Sequence, residues 1–477
     1  MTDKKKIDSI KQDSRKGYKG ETLAVLQKYD VDVWSDAKIG TTGGNFRGII
    51  LPRAENTDEN HLVIKLNIGY NIGITTSNIT KIEKLGFRKA NYKIPEQEFP
   101  FDPVKPNVQL LGTGGTIASR LDYRTGAVIP AFSPGELYGA VPELADICNL
   151  KTEKLFGVFS ENMGPNEYIG LAKAAAKYID EGADGIVVGH GTDTLHHTAA
   201  AMSYMLQDLP VPFVLVGSQR SSDRPSSDAA INLMNATYTA GHGDIAEVMV
   251  CMFGPTSDEY DLLHQGTRVR KMHSSYRSTF RTLSDRPLAM VNWEEGITPI
   301  RTDYRRRGES KKVKLDAVFD DRVAILYYYP AMKPDMIDSL IENGYKGIVI
   351  AGTGLGHVNK PLYPALRRAK EAGVFVIMTV QTLFGFVQMY VYDTGRDMMA
   401  LGVVPGENLT PEAAYIKLGW VLGHEHPENL EERHTSIKKM MLTPVARDIT
   451  FREPVDGYMI YQGGTPEVEE FLKKYHH

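Results

Sequence analysis

Gly185-Ile-Val-Val-Gly-His-Gly-Thr-Asp-Thr-Leu-His-His-Thr198 runs from a short apolar segment through two glycines into a polar triplet, and then into a helical run. That order predicts a strand that ends in a loop and continues as a helix. Gly189 and Gly191 allow a sharp turn and a close approach to a ligand. Thr192, Asp193 and Thr194 stand where N-cap residues belong, ahead of the helical run Ala199 to Leu206. Hydroxyls and one carboxylate would then be presented at a helix N-terminus, where N–H groups and the dipole favour anionic groups. Upstream, Val108-Gln-Leu-Leu-Gly-Thr-Gly-Gly-Thr-Ile-Ala118 repeats the arrangement: an apolar run, then Gly112, Gly114 and Gly115, then Thr116. Either loop alone reads equally as an ordinary glycine-rich turn. Two of them in one chain point to a single site in the crevice beyond the carboxyl edge of a parallel sheet.

Around these loops the chain divides into six parts. Residues 1–20 are polar, lysine-rich and expected to form a flexible tail. Residues 21–92 carry short alternating segments, among them Val31 to Trp34, Phe46 to Leu51, His61 to Leu66 and Tyr70 to Ile74, broken by glycines and asparagines. Period-two alternation of this kind predicts a small antiparallel β-barrel. Such a barrel could bind RNA or a protein or buttress its neighbour; with no basic-aromatic surface visible, a structural or docking role is favoured. Residues 93–106 contain four prolines and read as a semi-rigid linker.

Residues 107–310 alternate strand-like and helix-like segments in the manner of an α/β domain. Strands are expected at Gly185 to Gly189, Pro212 to Gly217 and Glu247 to Met252, and helices at Asn166 to Glu181 and Asp228 to Ala240. Between Gly254 and Pro287 the pattern turns irregular and rich in Arg, Lys, Ser and Thr, which reads as a functional insertion. Residues 311–440 form a second α/β unit, with strands from Val323, Gly347 and Val374 and helices Pro334 to Asn343, Pro361 to Ala372 and Pro411 to Leu422. Residues 441–477 are a charged C-terminal extension with no clear pattern.

A chain of 477 residues exceeds what one core holds, which agrees with two or three domains. With 55 Lys+Arg against 59 Asp+Glu the formal net charge is −4, so no general pull toward nucleic acid exists. Arg305 to Arg307 and Lys311-Lys312 are local basic patches that read as solvated loops before RNA contacts. Cys148 and Cys251 are the only cysteines, in no metal or disulfide spacing. The N-terminus has charge without an apolar h-region, and no apolar run is long enough to cross a bilayer; a reducing cytoplasm and no membrane association are expected.

Rival readings of the loops fail on particular residues. The dinucleotide fingerprint would need Gly or Ala where Ile117 stands, and Ser119-Arg-Leu-Asp-Tyr-Arg-Thr-Gly126 is not the start of a packing helix. No Lys-Ser/Thr follows for a P-loop, and no G-x-S-x-G for a serine elbow. His196-His197 would point apart on a helix, and His424-Glu-His426 has no third ligand, so no metal site is expected.

Thr-Gly-Gly-Thr-Ile-Ala (113–118) and His-Gly-Thr-Asp-Thr (190–194) are similar to the paired signatures of the bacterial-type L-asparaginase family. The similarity runs over most of residues 107 to 423 and includes Val216-Gly-Ser-Gln-Arg220, Asp228 with the Asn-Leu-Met-Asn-Ala that follows it, and Arg268-Val-Arg-Lys-Met-His273. The front segment with Gly69-Tyr-Asn-Ile-Gly-Ile74, and Met389-Tyr-Val-Tyr-Asp-Thr-Gly-Arg-Asp397, resemble one branch of that family, the glutaminase D-subunits of archaeal glutamyl-tRNA(Gln) amidotransferase. The resemblance implies an asparaginase-like two-domain parallel-sheet unit behind the small barrel.

It also implies roles. Thr116 matches the nucleophile, Thr192 and Asp193 the threonine and carboxylate that assist it, and Lys271 the lysine behind them. Ser160 and Glu161, in Phe159-Ser-Glu-Asn-Met163, match the substrate-binding pair, and Tyr123 the flexible-loop tyrosine; Phe384-Gly-Phe386 replaces an expected small polar cluster. A threonine hydroxyl is a weak nucleophile that needs a base in reach, and Lys271 serves if Asp193 and burial tune it. Without the resemblance, Arg268-Val-Arg-Lys271 reads as a solvated basic strip. The implied activity is release of ammonia from glutamine for a partner, the amidotransferase E-subunit, which converts Glu-tRNA(Gln) to Gln-tRNA(Gln). ATP and Mg would be used by that partner, with no cofactor or metal in this chain and tRNA contacted mainly through the partner. A homodimer within a heterotetramer is implied. A free-standing L-asparaginase is the alternative, and a scaffold that kept the fold without catalysis a third reading.

Overall fold

Apolar runs of four to six residues, separated by helices with one apolar face, build a sheet covered on both sides. The computed structural model describes residues 15, 17–53, 57–66, 71–87, 101–114, 119–121, 128–130, 141–220 and 227–454. Its largest sheet has eight strands in the order Gly296–Pro299, Ala289–Asn292, Asp261–Gln265, Val248–Phe253, Phe213–Val216, Gly185–Gly189, Asn107–Gly112 and Asn149–Lys154. The last five run parallel and the first three join antiparallel. Gly189 is level with Gly112 on one side and Val216 on the other, so three loops leave the sheet together.

Alternation along Gly185–Gly189 divides the core. Val187 joins Val108, Val214 and Met249 under the helix Ala229–His242, whereas Ile186 and Val188 face the helices Pro165–Asp180 and Leu195–Met205. A second, four-stranded parallel sheet has the order Val323–Tyr327, Gly347–Gly352, Phe375–Val380 and Val404–Pro405. Its outer face packs on Asp335–Glu342, Tyr363–Glu371 and Asp393–Ala400. Its inner face, through Val349, Phe375 and Ile377, shares a core with Pro411–Leu422 and Leu195–Met205. Both α/β units are therefore built on one continuous apolar layer.

The front segment has its own core, with Leu26, Ala37, Ile39, Ile64 and Ile82 inside. Its strands form a five-stranded antiparallel sheet in the order Asn71–Thr75, His61–Leu66, Gly44–Ile50, Ser35–Thr41 and Ile79–Phe87, bulged between Ser35–Thr41 and Ile79–Phe87. Among the described residues no ladder joins the two outer strands, so the expected closure into a barrel is absent from the pairing. Val31 to Trp34 is not a strand: Trp34 has φ 75° and donates its N–H to Ile50 O, and pairing starts at Ser35. A helix, Gly20–Lys28, precedes it.

Two further expectations change. The stretch Gly254 to Pro287 is not an irregular insertion: it supplies the sheet strand Asp261–Gln265 and the hairpin Val269–Lys271 with Phe280–Thr282. The expected boundary at 440 falls inside the helix Leu430–Leu442, and residues 443–454 lie back against both α/β units. No helix among the described residues is long and apolar enough to cross a membrane.

Candidate active site

The three level strand ends carry the candidate residues into one crevice. Thr113 donates both its N–H and its hydroxyl to Gly189 O, each at 3.0 Å, which locks the first loop to the second. His190 N–H bonds Val216 O at 2.9 Å and ties the second loop to the third strand. The loops sit this close because of glycine. A Cβ on Gly217 would lie 2.8 Å from Thr192 Cγ2, and one on Gly191 would lie 2.8 Å from Ser160 Cβ.

The second loop enters the helix Leu195–Met205, four residues earlier than the expected start at Ala199. Thr194 occupies the N-cap position, but its hydroxyl makes no cap; it donates to Ser160 O at 2.6 Å and fixes the short turn Ser160–Asn162 against the loop. Ser160 is buried and Glu161 exposed on that turn, and the Glu161 carboxylate has no partner among the described residues.

Lys271 comes from the edge hairpin. Its Nζ donates to Thr192 Oγ1 at 2.9 Å and to Asp193 Oδ1 at 2.8 Å, across 79 and 78 residues of chain. Its side chain is only 9% exposed whereas that of Asp193 is 71% exposed, so the amine is delivered from inside to a carboxylate facing solvent. The basic strip is thus not solvated: Arg268 is fully buried, with two bonds to Asn408, and Arg270 pairs with Glu412 at 3.2 Å at the start of Pro411–Leu422. The second α/β unit therefore holds the strand that carries Lys271.

Thr192, Asp193, Lys271 and Ser160 are brought together, with Glu161 on the adjoining turn. Thr116 and Tyr123 lie outside the described residues. Gly112, Thr113 and Gly114, which lead to Thr116, end beside Gly189. Gly385, between Phe384 and Phe386, has φ 102° and donates its N–H to Glu453 Oε1 at 2.6 Å, which ties that turn to the chain after residue 443.

Sequence reasoning assigned no role to His190. Its ring is fully buried, with Nδ1 2.7 Å from Gly191 O and Nε2 2.8 Å from Thr198 Oγ1. Burial pushes its pKa down to about 4. The signal that could have found it is its place between Gly189 and Gly191, where a lone polar ring between two glycines has only backbone and the following helix to bond. The His196 and His197 rings do not point apart; their centroids are 4.4 Å apart. Burial first, then His197, Arg270 and Lys271, hold His196 well below the usual imidazole range. Among the described residues no group of three His, Cys, Asp or Glu could hold a metal.

Comparison with known proteins shows the family of the chain. The asparaginase N-terminal family matches residues 107–303, the glutaminase/asparaginase C-terminal domain residues 322–434, and the GatD N-terminal domain residues 32–85. A solved structure, the thermostable L-asparaginase from Thermococcus kodakarensis, superposes with a TM-score of 0.63 at 29% identity, covering 72% of this chain and 99% of that one. The D-subunit of the glutamyl-tRNA(Gln) amidotransferase of Thermococcus kodakarensis is 51% identical, over 85% of this chain and 90% of that protein. The corresponding subunits of Pyrococcus furiosus and Sulfolobus acidocaldarius are 50% and 43% identical, over 85% and 91% of this chain and 91% and 95% of theirs. With identity at that level over nearly the whole length, front sheet included, this chain belongs to the D-subunit family of glutamyl-tRNA(Gln) amidotransferase.

Proposed function

We propose that this chain is the glutaminase subunit of a tRNA-dependent amidotransferase, releasing ammonia from glutamine for a partner subunit that turns Glu-tRNA(Gln) into Gln-tRNA(Gln). The observation that carries the reading is the amine of Lys271 bonded at once to Thr192 Oγ1 and Asp193 Oδ1 at the glycine-lined strand ends.

In the proposed reaction the Thr116 hydroxyl attacks the carboxamide carbon and its proton passes to Thr192 and Lys271. Backbone N–H groups of the two loops stabilise the oxyanion of the tetrahedral intermediate. The C–N bond breaks, the proton returns to nitrogen, and ammonia leaves an acyl-Thr116 ester. Water adds to the ester through the same relay and releases glutamate. Glu161, exposed and unpaired among the described residues, suits the substrate α-ammonium, and Ser160 lines the floor beside Gly191; Tyr123 would close over the bound amide.

Ammonia attacks only as the neutral molecule, so the proposal includes a sheltered route to the E-subunit, where ATP and Mg would activate the tRNA-bound glutamate. A homodimer within a heterotetramer is the proposed assembly, in the cytoplasm. The test is steady-state turnover of glutamine and of asparagine by the chain alone and with the E-subunit and Glu-tRNA(Gln). Glutamine hydrolysis should be slow alone and rise with the complete complex. Full-rate asparagine hydrolysis by the isolated chain, indifferent to partner and tRNA, would establish a free-standing asparaginase instead.

A further inference from the structure

The buried imidazole of His190 has neighbours that fix its hydrogen-bonding sense. Gly191 O lies 2.7 Å from Nδ1 and can only accept, so Nδ1 carries the proton. The ring is enclosed by protein and held neutral, so Nε2 is left with a lone pair and accepts from the Thr198 hydroxyl at 2.8 Å. Thr198 is itself buried on the first turns of Leu195–Met205. A directional string therefore runs from Thr198 through His190 to the carbonyl of Gly191. His196 is the other titratable group set against the ring, and it too is held neutral by burial.

The end of that string is a peptide unit of the site. The Gly191–Thr192 bond is trans and planar, so turning the Gly191 C=O toward His190 turns the Thr192 N–H the opposite way. No acceptor for that N–H lies among the described residues, although the residue is 7% exposed. The Thr192 side chain, from the same residue, is held by Lys271.

We propose that His190 is a positioning residue, locked by Thr198 in the Nδ1–H tautomer so that it fixes the Gly191–Thr192 peptide and thereby aims both the N–H and the hydroxyl of Thr192 at the substrate. It touches no substrate and acts through Thr192 alone. The string ties one helix to the loop, so its effect is a fixed angle of one peptide plane. An error of that kind alters the transition state more than ground-state binding, since a misplacement of about 1 Å can cost roughly 10²-fold in rate. The proposal rests on the amidohydrolase reading above and takes no part in choosing between glutamine and asparagine.

Thr198→Val removes the donor to Nε2 at constant shape, and Thr198→Ser retains it. In the assembled enzyme Thr198→Val should lower kcat about 10- to 100-fold with KM within about threefold, and Thr198→Ser should restore most of the rate. In the full chain with ¹⁵N-labelled histidine, the His190 resonances should show Nδ1 protonated and Nε2 bare in the parent and in Thr198→Ser, and a mixture of tautomers in Thr198→Val. Amide exchange at Thr192 should quicken in Thr198→Val only. An Nε2-protonated parent overturns the proposal, as do equal rates for the Ser and Val variants; because the first reading needs only the parent chain, a Val variant that fails to fold does not remove the test. A parent with the expected tautomer but no amidohydrolase activity in the complete complex would sink the functional reading and leave the string standing.

Discussion

Lys271 Nζ reaches Thr192 Oγ1 at 2.9 Å and Asp193 Oδ1 at 2.8 Å while its stem is sheltered, so Lys271→Met keeps the packing and deletes only the nitrogen. Proton transfer of this kind contributes typically about 10²–10⁴-fold, so kcat should fall by that range with KM little changed, because Ser160 and Glu161 are untouched. A loss under about tenfold in steady-state assays would reduce Lys271 to a strut between loop and hairpin. A second residue governs stability and not rate. Asp261 is wholly buried beside the Cys251 thiol, and burial pushes its pKa up to about 8. The native state then binds more protons than the unfolded chain between the ordinary carboxylate range and about 8, so this stabilisation is full at low pH and is lost as pH rises through 8. His190 and His264, pushed down to about 4 and about 3 by burial, act in the opposite sense: their contribution is present above the ordinary imidazole value and is lost as pH falls. Between the ordinary imidazole value and pH 8 only the Asp261 slope remains of these three. Thermal melts of the parent should therefore fall in Tm over that window, and Asp261→Asn should flatten the fall; parallel curves would refute the assignment.

At the scale of elements, the segment after Leu430–Leu442 decides how the two α/β units are joined. Lys417 and Asp448, both fully buried, pair at 2.6 Å; Lys417 also donates to Thr443 O, and Tyr204 donates to Asp448 at 3.1 Å. Arg268 donates to Arg447 O and to Asn408, and Arg447 to Asp285, so one stretch is pinned to the strand hairpin, the large sheet's loops and Pro411–Leu422 together. Ala446 and Arg447 accept φ of 49° and 63° to make these contacts. Lys417→Met leaves Asp448 buried and unpaired and should cost roughly 3–5 kcal/mol, whereas adding Asp448→Leu should recover much of it; urea denaturation reads both. This segment was illegible in the sequence because its anchoring is long-range: 31 residues separate Lys417 from Asp448, and Asp448, in the charged extension that showed no clear pattern, is buried. Strand Asp261–Gln265 was missed for a related reason, since Asp261, His264 and Gln265 are all buried and break the apolar pattern. By contrast Gly185–Gly189 and Pro411–Leu422 were read to the residue, one from a pure apolar run and the other from Pro at its start and Gly423 at its end. Of the site, the loop threonines were visible as glycine-flanked hydroxyls; Lys271, reached through a three-residue edge strand, came from family resemblance and from nothing in its own surroundings.

For the whole molecule the question is how a chain of formal net charge −4 could serve a polyanionic substrate. Its one compact run of arginines is already spent on the fold. Arg305 and Arg306 pair with Asp208 and Asp244 at 3.4 and 2.6 Å. Arg307 donates to Ala240 O, Gly241 O and Gly243 O at the C-terminal end of Ala229–His242, where a cation also meets the negative end of the helix dipole. Lys311 and Lys312 remain exposed, but two isolated charges release few counterions. The proposed tRNA should therefore be held by the partner, and the chain alone should bind it no better than non-specifically, with a Kd of about 10⁻⁴–10⁻⁶ M at physiological salt. Replacing Arg305, Arg306, Lys311 and Lys312 by Gln in the complex should leave the slope of log K against log salt unchanged within about one unit, because each phosphate left without its cation would shift it by about 0.9. A slope that falls by about three or more would place these side chains on the RNA and overturn the assignment of the binding to the partner. Arg307→Gln belongs to a different prediction: it removes the donor from the carbonyls of a helix end, so it should lower Tm while leaving the salt slope where it was.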